Sequence, residues 1–173
     1  MKTMTDSKLD IEILKILSQG SISKILSKDD EERVSLRRLA EVLEKSPVTI
    51  KKHIERLEEK GIIKNFGVTI DYEKLGYNII ALIELTISKG RMLEVEKDIA
   101  THPNVYGVYD ITGEYDAAIL ARFKSRDDLS DLVKMINSYE YVVRSNTHLI
   151  LNVIKEGTDF ENLIKHEAEK GKK

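Results

Sequence analysis

The stretch from Ser35 to Ile63, SLRRLAEVLEKSPVTIKKHIERLEEKGII, constrains the fold more than any other part of this chain. It reads as two short helices separated by a tight turn. The first carries Leu36, Leu39, Ala40 and Leu43 on one face, at i, i+3, i+4 and i+7 spacing. The second opens at Ser46-Pro47, a hydroxyl at the N-cap and a proline at the first helical position. Its inward stripe is Ile50, Ile54 and Leu57, and Gly61 ends it just past the last turn. The other face offers Thr49, Lys51, Lys52 and Arg56. A short helix with one apolar stripe and a face of hydroxyl, ammonium and guanidinium groups has the chemistry a DNA major groove accepts.

Charge follows the same division. The whole chain of 173 residues carries a net charge of −2. From Arg33 to Lys64 there are nine Lys+Arg against five Asp+Glu, a surplus of +4. From Asn65 onward there are fourteen against eighteen, a deficit of −4. The cationic surplus therefore coincides with the helix pair, and local charge matters more to phosphate than the sum. One such unit binds phosphate weakly, which predicts a dimer or larger assembly. Cysteine is absent, which excludes disulfides, thiolate metal sites and cysteine nucleophiles. No apolar run approaches ~20 residues and MKTMTDSKLD lacks a secretory core, so a cytoplasmic protein without membrane contact is expected. Abundant Lys, Glu and Ile without Cys or Trp lean towards a thermophile.

Leu9, Ile13, Ile16 and Leu17 mark an opening support helix, and Ser21–Glu32 reads as an extended turn or an extra short helix. After Gly61, Val68 and Ile70 alternate around Gly67 as in a short hairpin, with Lys64 and Asn65 near its tip. This gives a winged helix-turn-helix over residues 1–70, followed by a connector over 71–77. The next domain, 78–157, has strands predicted at Ile79–Ile87, Val105–Thr112, Ala117–Phe123 and Val142–Ile154. Helices are predicted at Met92–Thr101, with Leu93, Ile99 and Ala100 inward, and at Arg126–Ser138, with Leu129, Leu132, Val133 and Ile136 inward. The order βαββαβ is ferredoxin-like, an antiparallel sheet with both helices on one face, so the chain is α+β. Ile80, Leu82, Val108, Ala118, Leu120, Ile150 and Ile154 are placed on the other face, too apolar for water, which predicts a second copy against it. Residues 158–173 read as a short amphipathic tail helix fraying into lysines.

These pieces in this order resemble the Lrp/AsnC (feast/famine) family of prokaryotic transcription regulators. The similarity runs from Lys8 to about Gly157 and is carried by LDIEILKIL, Ser35–Lys64, the connector DYEKLGY and VYGVYDITGEYD. An insertion between the first helix and Ser35, and a longer tail, depart from the family pattern. The resemblance implies a DNA-binding regulator with a winged helix-turn-helix and an AsnC-type effector domain. It also implies homodimers paired through their sheets, often assembled as octamers, with a small effector, usually an amino acid, held between dimers. The matching effector positions are Gly113, Tyr115 and Asp116 in the hairpin, and Ser145 and Thr147 in the last strand, with Asn146 where relatives often have Arg. Gly113 and Asp116 are also ordinary turn residues; the resemblance adds that a carboxylate suits an effector's ammonium.

On the helix after Ser46-Pro47, Ser46, Thr49, Lys52 and His53 are the expected base-edge contacts, and Lys45, Lys51 and Arg56 the backbone contacts. Nothing in the sequence points to catalysis, a metal or a cofactor. The four histidines, His53, His102, His148 and His166, have no metal-ligand spacing. Two other readings stay open. The same layout resembles the sirohaem decarboxylases, for which His148 and Arg122 would be the candidate residues. A ligand-sensing assembly whose helix pair has become a protein contact is the third.

Overall fold

The computed structural model describes residues 8–18, 36–67, 69–88, 90–157 and 159–170. They divide into two units. One runs to Thr69 and regains the chain from Glu156 onward; the other is Ile70–Lys155.

In the first unit, α1 (Lys8–Ser18), α2 (Leu36–Val42) and α3 (Pro47–Glu59) pack around Ile13, Leu39, Ala40, Ile50 and Leu57. Leu36, expected inward, is exposed at the first position of α2. The α2–α3 turn is closed by Lys45 N–H donating to the Ala40 carbonyl at 2.9 Å and Glu44 N–H to that of Glu41 at 3.2 Å. Glu44 takes the left-handed conformation (φ 53°) that such a turn requires. Ser46 is extended (φ −73°, ψ 147°) and its Oγ accepts the Thr49 N–H at 3.1 Å, with Pro47 at the first helical position. At the other end Gly61 adopts φ +66°, its N–H donating to the Glu58 carbonyl at 2.8 Å.

The expected hairpin wing is not formed by the described residues. Residues 62–67, 69 and 70 carry no strand; Val68, one of the two alternating residues, lies outside the described residues, as does Ser21–Glu32. Two apolar residues about a glycine make too short a pair to stand as a hairpin alone. The tail forms α6 (Phe160–Lys170), which runs against α1 with Phe160, Glu161 and Ile164 half-buried.

In the second unit, β1 (Ile79–Ile87), α4 (Met92–Ile99), β2 (Val105–Asp110), β3 (Ala117–Phe123), α5 (Arg126–Asn137) and β4 (Val142–Ile150) form one antiparallel sheet in the order β2-β3-β1-β4. Alternation on the two central strands sends Ala81, Ile83, Leu85, Ile87, Ala117, Ile119, Ala121 and Phe123 to one face. Val95 and Ile99 of α4 and Leu132 and Ile136 of α5 cover that face. Ser125 caps α5 in a reciprocal box with Asp128.

Several expectations shift. Val108 pairs with Ile119 and therefore faces the helices, not the open side. The last strand stops at Ile150, and Ile154 is 94% exposed, past the reach of β1. The second strand ends at Asp110, where the chain turns into the hairpin. On α4, which ends at Ile99, Leu93 is 65% exposed and Ala100 is exposed, while Val95 and Glu96 turn inward with Ile99. Ile99 is therefore inward as expected, and Leu93 and Ala100 are not.

Glu96 is 7% exposed, and its Oε1 is buried with no hydrogen-bond partner among the described residues. Burial, and then the charge of Asp110, push its carboxyl above the usual range. A raised carboxyl favours the fold at low pH and loses that contribution as pH rises through its folded value. Glu96→Gln is therefore expected to match wild type near pH 4 and to exceed it by about 1 kcal/mol at pH 7. Urea titrations at the two pH values check this.

Candidate nucleic-acid interface and effector site

Helix α3 is anchored to α1 by a charge cluster that sequence reading did not find. Asp10, 1% exposed, accepts from Arg56 Nη2 on both carboxylate oxygens, at 2.8 and 2.6 Å. His53 Nδ1 lies 2.6 Å from Asp10 Oδ1 and 3.1 Å from Arg56 Nη2. His53 and Arg56, expected at the DNA, thus direct their polar atoms onto a buried carboxylate 43 and 46 residues earlier in the chain. The available signal was Asp10 itself, an acid next to Leu9 at the start of an apolar helix face.

What α3 leaves outward is a set of short hydroxyls and lysines. Ser46 and Thr49 oxygens lie 2.8 Å apart. Lys45, Ser46, Pro47, Lys51 and Lys52 are exposed and Thr49 half-exposed. Lys51 Nζ sits 3.5 Å from Glu55 one turn on, a surface pair worth little. Val48, not singled out from the sequence, is 64% exposed among them. Lys64, expected at the wing tip, is exposed on the segment after Gly61.

At one end of the sheet, the hairpin between β2 and β3 meets the start of β4. Gly113 adopts φ +131°, which a side chain would strain. Asp116 fastens the hairpin to β1: its Oδ2 accepts the Ile87 N–H at 2.8 Å and its own N–H donates to the Leu85 carbonyl at 2.8 Å. Its carboxylate, expected to face an effector, is at least half engaged by backbone. Arg144 of β4 reaches Glu114 at 2.5 Å and stacks over the Tyr115 ring at 4.8 Å. Glu114 is the first cause of the rise in the Arg144 pKa. Ser145 donates to Asn137 Oδ1 at 2.7 Å, while Thr147, paired with Ile83, is exposed on the strand at the sheet's edge. Gly113, Tyr115 and Asp116 thus share one end of the sheet with Arg144 and Ser145, and Thr147 lies further along β4.

The open face of the sheet carries Ile80, Leu82, Ala118, Leu120 and Ile150, all half-buried in the single chain. Amid them, His148 Nε2 lies 3.0 Å from Glu84 Oε2 and 2.8 Å from Asn146 Nδ2. Arg122 is stacked between Tyr72 and Tyr106, 4.9 and 4.6 Å from their ring centres. His148 and Arg122 are therefore on one face but engaged by their own neighbours. Among the described residues no three His, Cys, Asp or Glu side chains cluster as a metal site. No helix among them is long and apolar enough to cross a membrane.

Residues 6–64 match the family model for winged helix-turn-helix DNA-binding, and residues 80–160 that for the Lrp/AsnC ligand binding domain. An uncharacterized HTH-type transcriptional regulator of Pyrococcus furiosus is 39% identical over 127 residues, 73% of this chain and 86% of the relative. The HTH-type transcriptional regulator FL11 of the same organism is 36% identical over 138 residues, 80% of this chain and 90% of the relative. A solved structure of a Neisseria meningitidis transcriptional regulator complexed with L-Met shares the fold, with TM-score 0.75 and 23% identity, covering 90% of this chain and 96% of that one. AsnC of E. coli superposes similarly, with TM-score 0.74 and 23% identity over 88% of this chain and 96% of that one. The chain belongs to the Lrp/AsnC family of effector-modulated, DNA-binding transcriptional regulators.

Proposed function

We propose that α3 is the helix that reads DNA, that Ser46, Thr49 and Lys52 approach base edges, and that Lys45, Lys51 and Lys64 hold phosphates. The observation that supports this is the sorting of charge on α3: Arg56 and His53 are tied to Asp10, while the lysines stay in water. Two copies pair through the open sheet faces, which buries Ile80, Leu82, Leu120 and Ile150, and such pairs join into larger rings. A twofold pair presents two reading helices, so the site is pseudo-palindromic. The effector is an amino acid bound where the hairpin meets β4. Its carboxylate suits Arg144 and its ammonium suits Glu114, so binding exchanges the ion pair between these two side chains for two new ones. The effector shifts the assemblies only as far as it binds one more tightly than another.

The test is binding to random-sequence duplex DNA across a salt series. K51Q is expected to lower the slope of log affinity against log salt by about one, the signature of one lost phosphate contact. An unchanged slope and affinity refutes the placement of α3 at the duplex. A thermal-shift screen of the standard amino acids tests the effector assignment, with R144Q expected to abolish any shift found.

A further inference from the structure

Val48 has an unusual place on the reading helix. It sits in the first turn of α3, behind the Ser46 cap, and is 64% exposed. At about 100° per residue, Val48 and Lys52 lie one turn apart on the side away from Ile50, Ile54 and Leu57. A β-branched residue is a poor helix former and gains nothing from water. Its immediate surroundings are polar: Ser46, Thr49, Lys51 and Lys52. The Asp10 cluster fixes which side faces out, because rolling α3 on α1 would break the contacts of both Arg56 and His53 with a buried carboxylate.

We propose that Val48 is a specificity-determining residue that packs on the C5 methyl group of a thymine in the major groove, with Asp10 as the positioning residue that aims it. The proposal rests on α3 being the DNA-reading helix. Thymine is the only base that offers a methyl group in that groove, and the isopropyl group of valine has no hydrogen bond to give. The neighbouring hydroxyl and ammonium groups serve the polar edges and phosphates; Val48 supplies the one apolar contact.

The full chain is first used to enrich a duplex from a random-sequence pool. Each thymine of that duplex is then replaced in turn by uracil, which deletes the methyl and keeps the base pair. At one thymine of each half-site, wild type is expected to lose about fourfold in affinity, the worth of one buried methyl. V48S is expected to bind the thymine and uracil duplexes equally, while V48T, which keeps a methyl, retains part of the difference. D10N is expected to narrow the uracil penalty at an unchanged salt slope. A wild type indifferent to every uracil, or a V48S that keeps the full penalty, overturns the assignment; a D10N with the full penalty overturns the positioning role. A pool that enriches no sequence overturns the DNA-reading assignment of α3 itself, and this one with it. Val48 is exposed, so its variants keep the core that folds the unit.

Discussion

Phe123→Ala is expected to destabilise the Ile70–Lys155 unit by about 3–5 kcal/mol. Phe123 is fully buried at the end of β3, a central strand, opposite Ile79 and within the core covered by α4 and α5. Its ring cannot be replaced by collapse from one side, because the strand is held by β1 on one flank and β2 on the other. With total stability of a domain near 5–15 kcal/mol, the loss leaves a unit only marginally folded. The measurement can be made unit by unit. The chain has no Trp, and all seven of its Tyr lie between Tyr72 and Tyr141, so tyrosine fluorescence reports this unit alone. The urea midpoint of that signal should fall sharply, while helix signal from the first unit persists to higher urea. A shift worth less than about 1 kcal/mol would mean the ring is not a core element.

Most of this core was legible because strand alternation is a strict period of two. Ile79–Ile87 and Ala117–Phe123 were bounded from sequence at the residues where the strands begin and end. Helix α3 was equally clear, since Ser46-Pro47 and Gly61 are position-specific signals with a backbone cause. The failures have causes too. On α4 the apolar residues Met92, Leu93, Val95 and Ile99 do not fall on one stripe, so the local pattern does not separate Leu93 from Val95, and packing into the sheet core decides for Val95. Val108 was misplaced because a β-bulge between Val105 and Gly107 shifts the register of β2, which the local pattern does not reveal. The Asp10 cluster was hidden for a different reason. Its partners lie more than forty residues apart, and Arg56 and His53 look the same on a helical wheel whether they face DNA or a carboxylate. Asp116 shows the same limit: hairpin residue and ligand residue share one signature, and the structure adds the Ile87 contact that sequence could not.

Arg56→Ala is expected to destabilise the first unit by about 3 kcal/mol, and Asp10→Asn by roughly half as much. The asymmetry follows from where each charge would be left. Asp10 is buried, so loss of Arg56 takes the guanidinium from both oxygens of a carboxylate that water does not reach, while His53 stays beside it. The Arg56 side chain is 43% exposed, so loss of the Asp10 charge lets the guanidinium turn to water, while the new amide oxygen can still accept a hydrogen bond. In the double variant the two costs should not add, because both substitutions remove the same Arg56–Asp10 ion pair. Thermal melts followed by helix signal give all three values. If Asp10→Asn proves the more damaging, Asp10 holds α1 and α3 together chiefly through His53 or the backbone. The same experiment separates two explanations for lost DNA binding in an Arg56 variant. A direct phosphate contact would lower the salt slope in protein that remains folded, whereas the anchor described here lowers the folded fraction and leaves the slope of the folded molecules unchanged.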